Sequence, residues 1–164
     1  MKSKYIAESG LLIALTLVIL YATSIIPIST LSILTVASCL IPISIIRTSI
    51  KNTILVYVAS SVLSFFLVPT NIALYYILFF GLYGIIKHLI EKIKNIPLEV
   101  LLKLIAFNIL LFIIYLIAKS FLGISSPKFP LWTLLLAAQI VFLIYDYALT
   151  LVISFFLKRF HKLL

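Results

Sequence analysis

The chain has 164 residues, of which 65% are hydrophobic and 10% charged, with a mean hydropathy of +1.34 and a formal net charge of +9. A soluble domain carries roughly 45–50% apolar and about 25% charged residues, so this composition excludes an ordinary water-soluble globule, and a disordered tail would need the opposite bias. The expected fold is all-α: a polytopic integral membrane protein, one compact bundle of transmembrane helices.

Hydrophobicity is nearly continuous from Gly10 to Ile46. As one helix that run would measure about 55 Å, well beyond the roughly 30 Å of bilayer hydrocarbon, so it must fold back. The turn-like stretch Pro27-Ile28-Ser29-Thr30 near its middle predicts a tight hairpin between spans 1 and 2. The run from Thr53 to Ile90 is too long for the same reason, and Pro69-Thr70-Asn71 divides it into spans 3 and 4. Span 5 follows, then a loop from Lys119 to Pro130 that contains Gly123, Ser125, Ser126, Pro127 and Pro130, and finally span 6. The predicted spans cover about 8–27, 30–47, 52–69, 71–90, 98–119 and 131–157, within a single transmembrane domain over 1–164.

Lys and Arg fall unevenly between these spans. Lys2, Lys4, Arg47, Lys51, Lys87, Lys92, Lys94, Lys158, Arg159 and Lys162 lie on one side of a six-span layout, against Lys119 and Lys128 on the other, with Lys103 inside span 5. Cytoplasmic loops are enriched in such cations, so both termini are expected in the cytoplasm of a multi-pass plasma-membrane protein. Cations scattered in short clusters between apolar runs also argue against a nucleic-acid partner; the lipid bilayer is the expected surrounding. The single cysteine, Cys39, sits in an apolar run and reads as a small buried hydrophobe.

Polar side chains within spans are costly and usually face the bundle interior. In span 6, Gln139, Asp146, Thr150 and Ser154 recur at spacings of 7, 4 and 4, one helical face. Asp146 reads either as a proton- or cation-linked carboxylate or as a structural one, bonded to neighbouring hydroxyls and to a lysine of span 5. In span 5, Glu99 and Lys103 are spaced for an i, i+4 pair whose lysine reaches to the interface, and Asn108 lies deeper. His88 and Glu91 stand beside three lysines and read as a solvated turn. Asn71, Tyr75 and Tyr76 open span 4, and Trp132 opens span 6, as interface anchors or as the lining of an outward pocket. Ala73, Gly81 and Gly84 in span 4 and the hydroxyls of span 3 read as helix-packing surfaces. Gly10 and Ala14 in span 1 form a small-xxx-small pair available to a second membrane subunit. No metal-binding spacing, phosphate loop or nucleophile elbow occurs, so no catalytic residue, metal ligand or cofactor is assigned and no enzymatic activity is expected.

The opening Lys4-Tyr5-Ile6-Ala7-Glu8-Ser9-Gly10-Leu11-Leu12-Ile13-Ala14-Leu15, the stretch Tyr76-Ile77-Leu78-Phe79-Phe80-Gly81-Leu82-Tyr83-Gly84 and the six-span layout resemble the substrate-binding S components of energy-coupling-factor transporters. That resemblance implies capture of a small molecule from outside and its transfer to a transmembrane coupling subunit with ATPases, docked through the small residues of span 1. The turn between spans 1 and 2 is shorter than the one that forms a lid in that family. On this reading Asn71, Tyr75, Asn108 and Gln139 are the expected ligand contacts, Gly10 and Ala14 the docking face, and Asp146 and Lys103 the intramembrane ionisable groups. A non-transporting scaffold, in which the polar stripes only hold the bundle together, is the alternative. A proton-linked carrier centred on Asp146 is a third reading. A cavity among the spans would favour binding; a tightly packed interior would favour the scaffold.

Overall fold

The computed structural model describes residues 3–26, 29–122 and 131–161, with side chains placed for 3–26, 29–117 and 132–158. Within these residues the chain forms six long apolar helices: α1 (Ser3–Ile25), α2 (Thr30–Arg47), α3 (Ile50–Leu67), α4 (Thr70–Glu91), α5 (Ile96–Leu122) and α6 (Leu131–His161). The chain is an all-α membrane bundle, as its composition requires. Pro27, Ile28, the segment 123–130 and the residues beyond His161 lie outside the described residues, so the expected hairpin turn and most of the Lys119–Pro130 loop are not described.

Every backbone amide and carbonyl in a bilayer must be satisfied within the protein, and hydroxyl side chains meet the same demand by bonding back into their own helix. Thr16 donates to the Leu12 carbonyl at 2.7 Å, Thr23 to Leu20 at 2.6 Å and Thr35 to Leu31 at 2.8 Å. The buried residues of α1, Leu12, Thr16, Leu20 and Thr23, advance by four, four and three, one stripe facing α2 and α3. On the opposite side Leu11, Leu15 and Val18 are exposed, as the lipid-facing side of a span should be.

Helices α2 and α4 form the centre. Half of the apolar window of each is buried, 50%, against 17% for α5 and for α6. Their contact is close because Gly84 on α4 lacks a side chain: a Cβ there would stand 3.0 Å from Ile41 and 3.1 Å from Pro42 of α2. Between α2 and α3, Thr53 donates to Ser44 at 3.0 Å; between α3 and α4, the Ser60 and Tyr76 hydroxyls are 2.9 Å apart. A cluster of Leu12, Leu40, Ile43 and Val56 with Phe156 packed on it brings the start of α1 and the last part of α6 to one end of the bundle. That end carries Arg47, Lys51, Lys92 and Lys94 and is called the basic end below.

One turn of α4 departs from α geometry. Tyr76–Phe80 is a π turn, wider than the α-helix by one residue. Tyr57 on α3 donates to the Ile77 carbonyl at 2.7 Å, so the irregular turn is tied to a neighbouring helix. Directly after it, Gly81 faces the Tyr57 ring, and a Cβ there would lie 2.8 Å from that ring.

Three sequence expectations change. Lys87 is not a loop residue: it belongs to α4 and is 0% exposed. His88 and Glu91 occupy the last turn of the same helix rather than a solvated connection, which runs only over 92–95. Ala73, Gly81 and Gly84 do not form one packing face, because the π turn lies between the first and the other two; Gly81 faces α3 and Gly84 faces α2.

Candidate functional site

Two neighbouring regions occupy the space between α4, α5 and α6: an ionic cluster towards the basic end and an apolar cavity above it. The cluster begins with Lys87, which α4 directs inward. Its ammonium group lies 2.5 Å from Asp146 Oδ1 and 2.9 Å from Glu91 Oε1, and donates to Thr150 Oγ1 at 2.8 Å. Lys103 on α5 lies 2.7 Å from Glu99, 3.0 Å from Glu91 and 3.3 Å from Asp146 Oδ2. Tyr83, one turn above Lys87, donates to Asp146 Oδ1 at 2.7 Å. Two ammonium groups, three carboxylates and two hydroxyls thus join three helices.

The physical reason for this arrangement is the cost of an isolated charge in a low-dielectric interior, which several partners with good hydrogen-bond geometry must offset. Glu91 and Asp146 each contact both lysines, whereas Glu99 contacts Lys103 alone, so four of the five charges are held by more than one partner. Lys103 is only 6% exposed and turns into this cluster instead of reaching to the interface as the sequence suggested. Glu99 and Lys103 do form the expected i, i+4 pair. Asp146 bonds to a hydroxyl and to a span 5 lysine, and additionally to Lys87, whose participation the sequence reading missed. The signal was present: Tyr83, Lys87 and Glu91 recur every four residues, one stripe of a helix.

Above the cluster lies a cavity of about 290 Å³ between α2, α4, α5 and α6. Its walls are largely aromatic: Tyr75, Phe79, Phe80, Phe107, Phe142 and Tyr145, completed by aliphatic side chains and Thr35. Phe107 of α5 and Phe142 of α6 stack with centroids 4.3 Å apart, and Tyr83 meets Phe142 edge to face at 5.2 Å. Phe107 and Phe142 wall the cavity, and Tyr83 links Phe142 to the ionic cluster through its bond to Asp146. Tyr145 donates to Ser38 at 3.0 Å and Thr35 to its own helix, which satisfies both hydroxyls. Tyr75, in contrast, has no hydrogen-bond partner among the described residues.

The expected ligand contacts do not converge. Tyr75 lines the cavity. Asn71, one turn earlier, is exposed and is not part of the wall. Asn108 and Gln139 pair with each other across α5 and α6: Gln139 Nε2 donates to Asn108 Oδ1 at 2.7 Å, and Asn108 Nδ2 donates to the Leu104 carbonyl at 2.8 Å. Gln139 Oε1 is buried and unpartnered among the described residues. Tyr76 is fully buried against Ser60, so it is neither an interface anchor nor a cavity residue, whereas Trp132 is exposed at the start of α6. On α1, Gly10 and Ala14 are exposed on the outer side, and a Cβ at Gly10 would meet nothing within 4 Å. Thr150 takes part in the cluster, whereas Ser154 donates to the Leu151 carbonyl of its own helix. Comparison of the chain with protein-family models, with curated proteins and with solved structures finds no match.

Proposed function

We propose that this chain is a multi-pass protein of the plasma membrane that holds a small molecule inside its bundle and takes part in its uptake together with partner subunits. The observation that carries this reading is the cavity: about 290 Å³ of unfilled space walled by six aromatic side chains between four of the helices. Protein interiors are dense and voids of this size are few, so one flanked by convergent rings is the default binding site. The exposed Gly10–Ala14 face supports docking of a transmembrane coupling subunit, since among the described residues nothing lies within 4 Å of a Cβ at Gly10. The sequence carries no phosphate-binding loop, so energy for uptake would come from partner ATPases.

The test is affinity purification from native membranes in mild detergent, with mass spectrometry of co-purifying proteins and small molecules. A coupling subunit with ATPases, together with a stoichiometric metabolite that Ala138→Trp displaces, is the expected result. Recovery of neither would sink the uptake reading. A second reading, a non-transporting scaffold, draws on the Asn108–Gln139 pair, in which two polar side chains expected to meet a ligand bond to each other instead. It predicts that Asn108→Leu and Gln139→Leu lower stability and leave uptake unchanged.

A further inference from the structure

The lining of the cavity restricts what can occupy it. Among the described residues that form its wall there is no charged side chain, and the nearest charges, Lys87 and Asp146, are saturated by each other and by their partners. A charged or highly hydrated molecule would lose its water here and gain no counter-charge. The facing rings offer flat apolar surfaces, suited to stacking and edge contacts with a ring system. One polar group is free: the Tyr75 hydroxyl, since those of Thr35 and Tyr145 already donate within the protein.

The cavity also reaches the flank of the bundle. Two of its lining residues, Leu31 on α2 and Val141 on α6, are 64% and 58% exposed. Leu31 is the second residue of α2, whereas Val141 lies ten residues into α6, about 15 Å from its start, so the exposed edge of the cavity runs from the helix end to a depth where the surroundings of a spanning helix are hydrocarbon. Part of the opening, at Val141, therefore lies at the level of the lipid chains.

We infer that the cavity takes an uncharged, lipid-soluble ring molecule with a single hydrogen-bonding group held by Tyr75, and that this molecule reaches it sideways from the bilayer. The inference rests on the proposed binding function and narrows it: the ligand is drawn from the membrane phase, and water-soluble ionic metabolites are excluded.

The test uses the full chain in phosphatidylcholine nanodiscs, titrated with naphthol, naphthalene or naphthalene sulfonate, with empty discs as the background. Naphthol should bind saturably above that background. Tyr75→Phe should weaken naphthol about three- to tenfold, the effect of one lost hydrogen bond, and leave naphthalene unchanged. Ala138→Trp and Leu111→Trp, which fill the cavity from two different helices, should each abolish binding of both. If either tryptophan variant fails to fold, the other and the Tyr75→Phe comparison still decide the matter. Equal naphthol uptake by native and filled proteins would mean simple partition into lipid and would overturn the inference, as would indifference of naphthol to Tyr75→Phe. Saturable binding of the sulfonate, blocked by the filled variants, would also overturn it while preserving the cavity as a small-molecule site. Absence of saturable binding for all three probes would overturn it too. Metabolite recovery from native membranes then judges the wider reading separately.

Discussion

The two halves of the α4–α5–α6 interface are closed by different physics. Towards the basic end, Lys87, Lys103, Glu91, Glu99 and Asp146 hold the three helices with short charge-assisted bonds that demand particular distances. Towards the other end, the same helices meet through ring edges and one amide pair around a space that is not filled. Charge-assisted bonds are directional and costly to break; aromatic contacts accept several geometries at modest cost. The interface is thus fastened at one end and adaptable at the other, the arrangement a binding cavity needs if its walls are to adjust without dissolving the bundle.

The largest expected effect that separates the halves lies in the cluster. Lys87→Met should destabilise the protein by about 3–5 kcal/mol, because it leaves Asp146 with one fewer cation in a buried site. Denaturation in mixed detergent micelles would measure this, and the double variant Lys87→Met/Asp146→Leu should recover much of the loss. A single variant as stable as the parent would erase the distinction drawn above. Next comes the approach of α4 to α3: Gly81→Val places a Cβ against the Tyr57 ring and should cost about 1–3 kcal/mol, read as a lowered Tm. In the adaptable half the effects should be small. Asn108→Leu and Gln139→Leu should each cost about 0.6 kcal/mol, with a double-mutant cycle showing that the two losses are one interaction. Smallest of all, Gly10→Leu should change stability by no more than about 0.5 kcal/mol, since open space surrounds that position. Its effect should appear instead as loss of co-purifying coupling subunit; retention of that subunit would remove the docking role from this face.

The six helices were legible because their signal is composition and length, and lipid imposes both. The interior was less legible, for two identifiable reasons. The first is that the lysine count behind the orientation treats every Lys near a helix end as a loop residue, although Lys87, four residues before the end of α4, is turned inward by the acids that face it. The second is the π turn. Tyr76 and Tyr83 are seven residues apart and should share one helical face, yet Tyr76 meets Ser60 of α3 and Tyr83 meets Asp146 of α6. One extra residue in the turn between them shifts the phase of everything that follows by about 100°. Periodicity read from the sequence holds on either side of Tyr76–Phe80 but not across it, which is why Ala73, Gly81 and Gly84 looked like one stripe. The amides of Asn108 and Gln139 were recognised as unusual at their depth; that they bond to each other could not be read from two separate helices.

The cluster also changes how the outside of the protein presents itself electrically. Two of the thirteen Lys and Arg and three of the four acids are drawn into it, so the remainder of the sequence holds eleven basic residues and one acid, Glu8. The charge outside the cluster therefore sums to +10 against +9 for the whole chain, and an anionic headgroup beside an exposed cation contributes about 1 kcal/mol. Ionic strength acts on the two populations differently. Salt at physiological concentration screens exposed charges beyond about 8 Å and so loosens the grip on anionic lipid, while the pairs of the cluster, a few ångströms apart around two buried ammonium groups, are screened much less. Lipid attachment and internal cohesion are therefore separable by salt, a property that follows from gathering three of the four acids around two buried lysines.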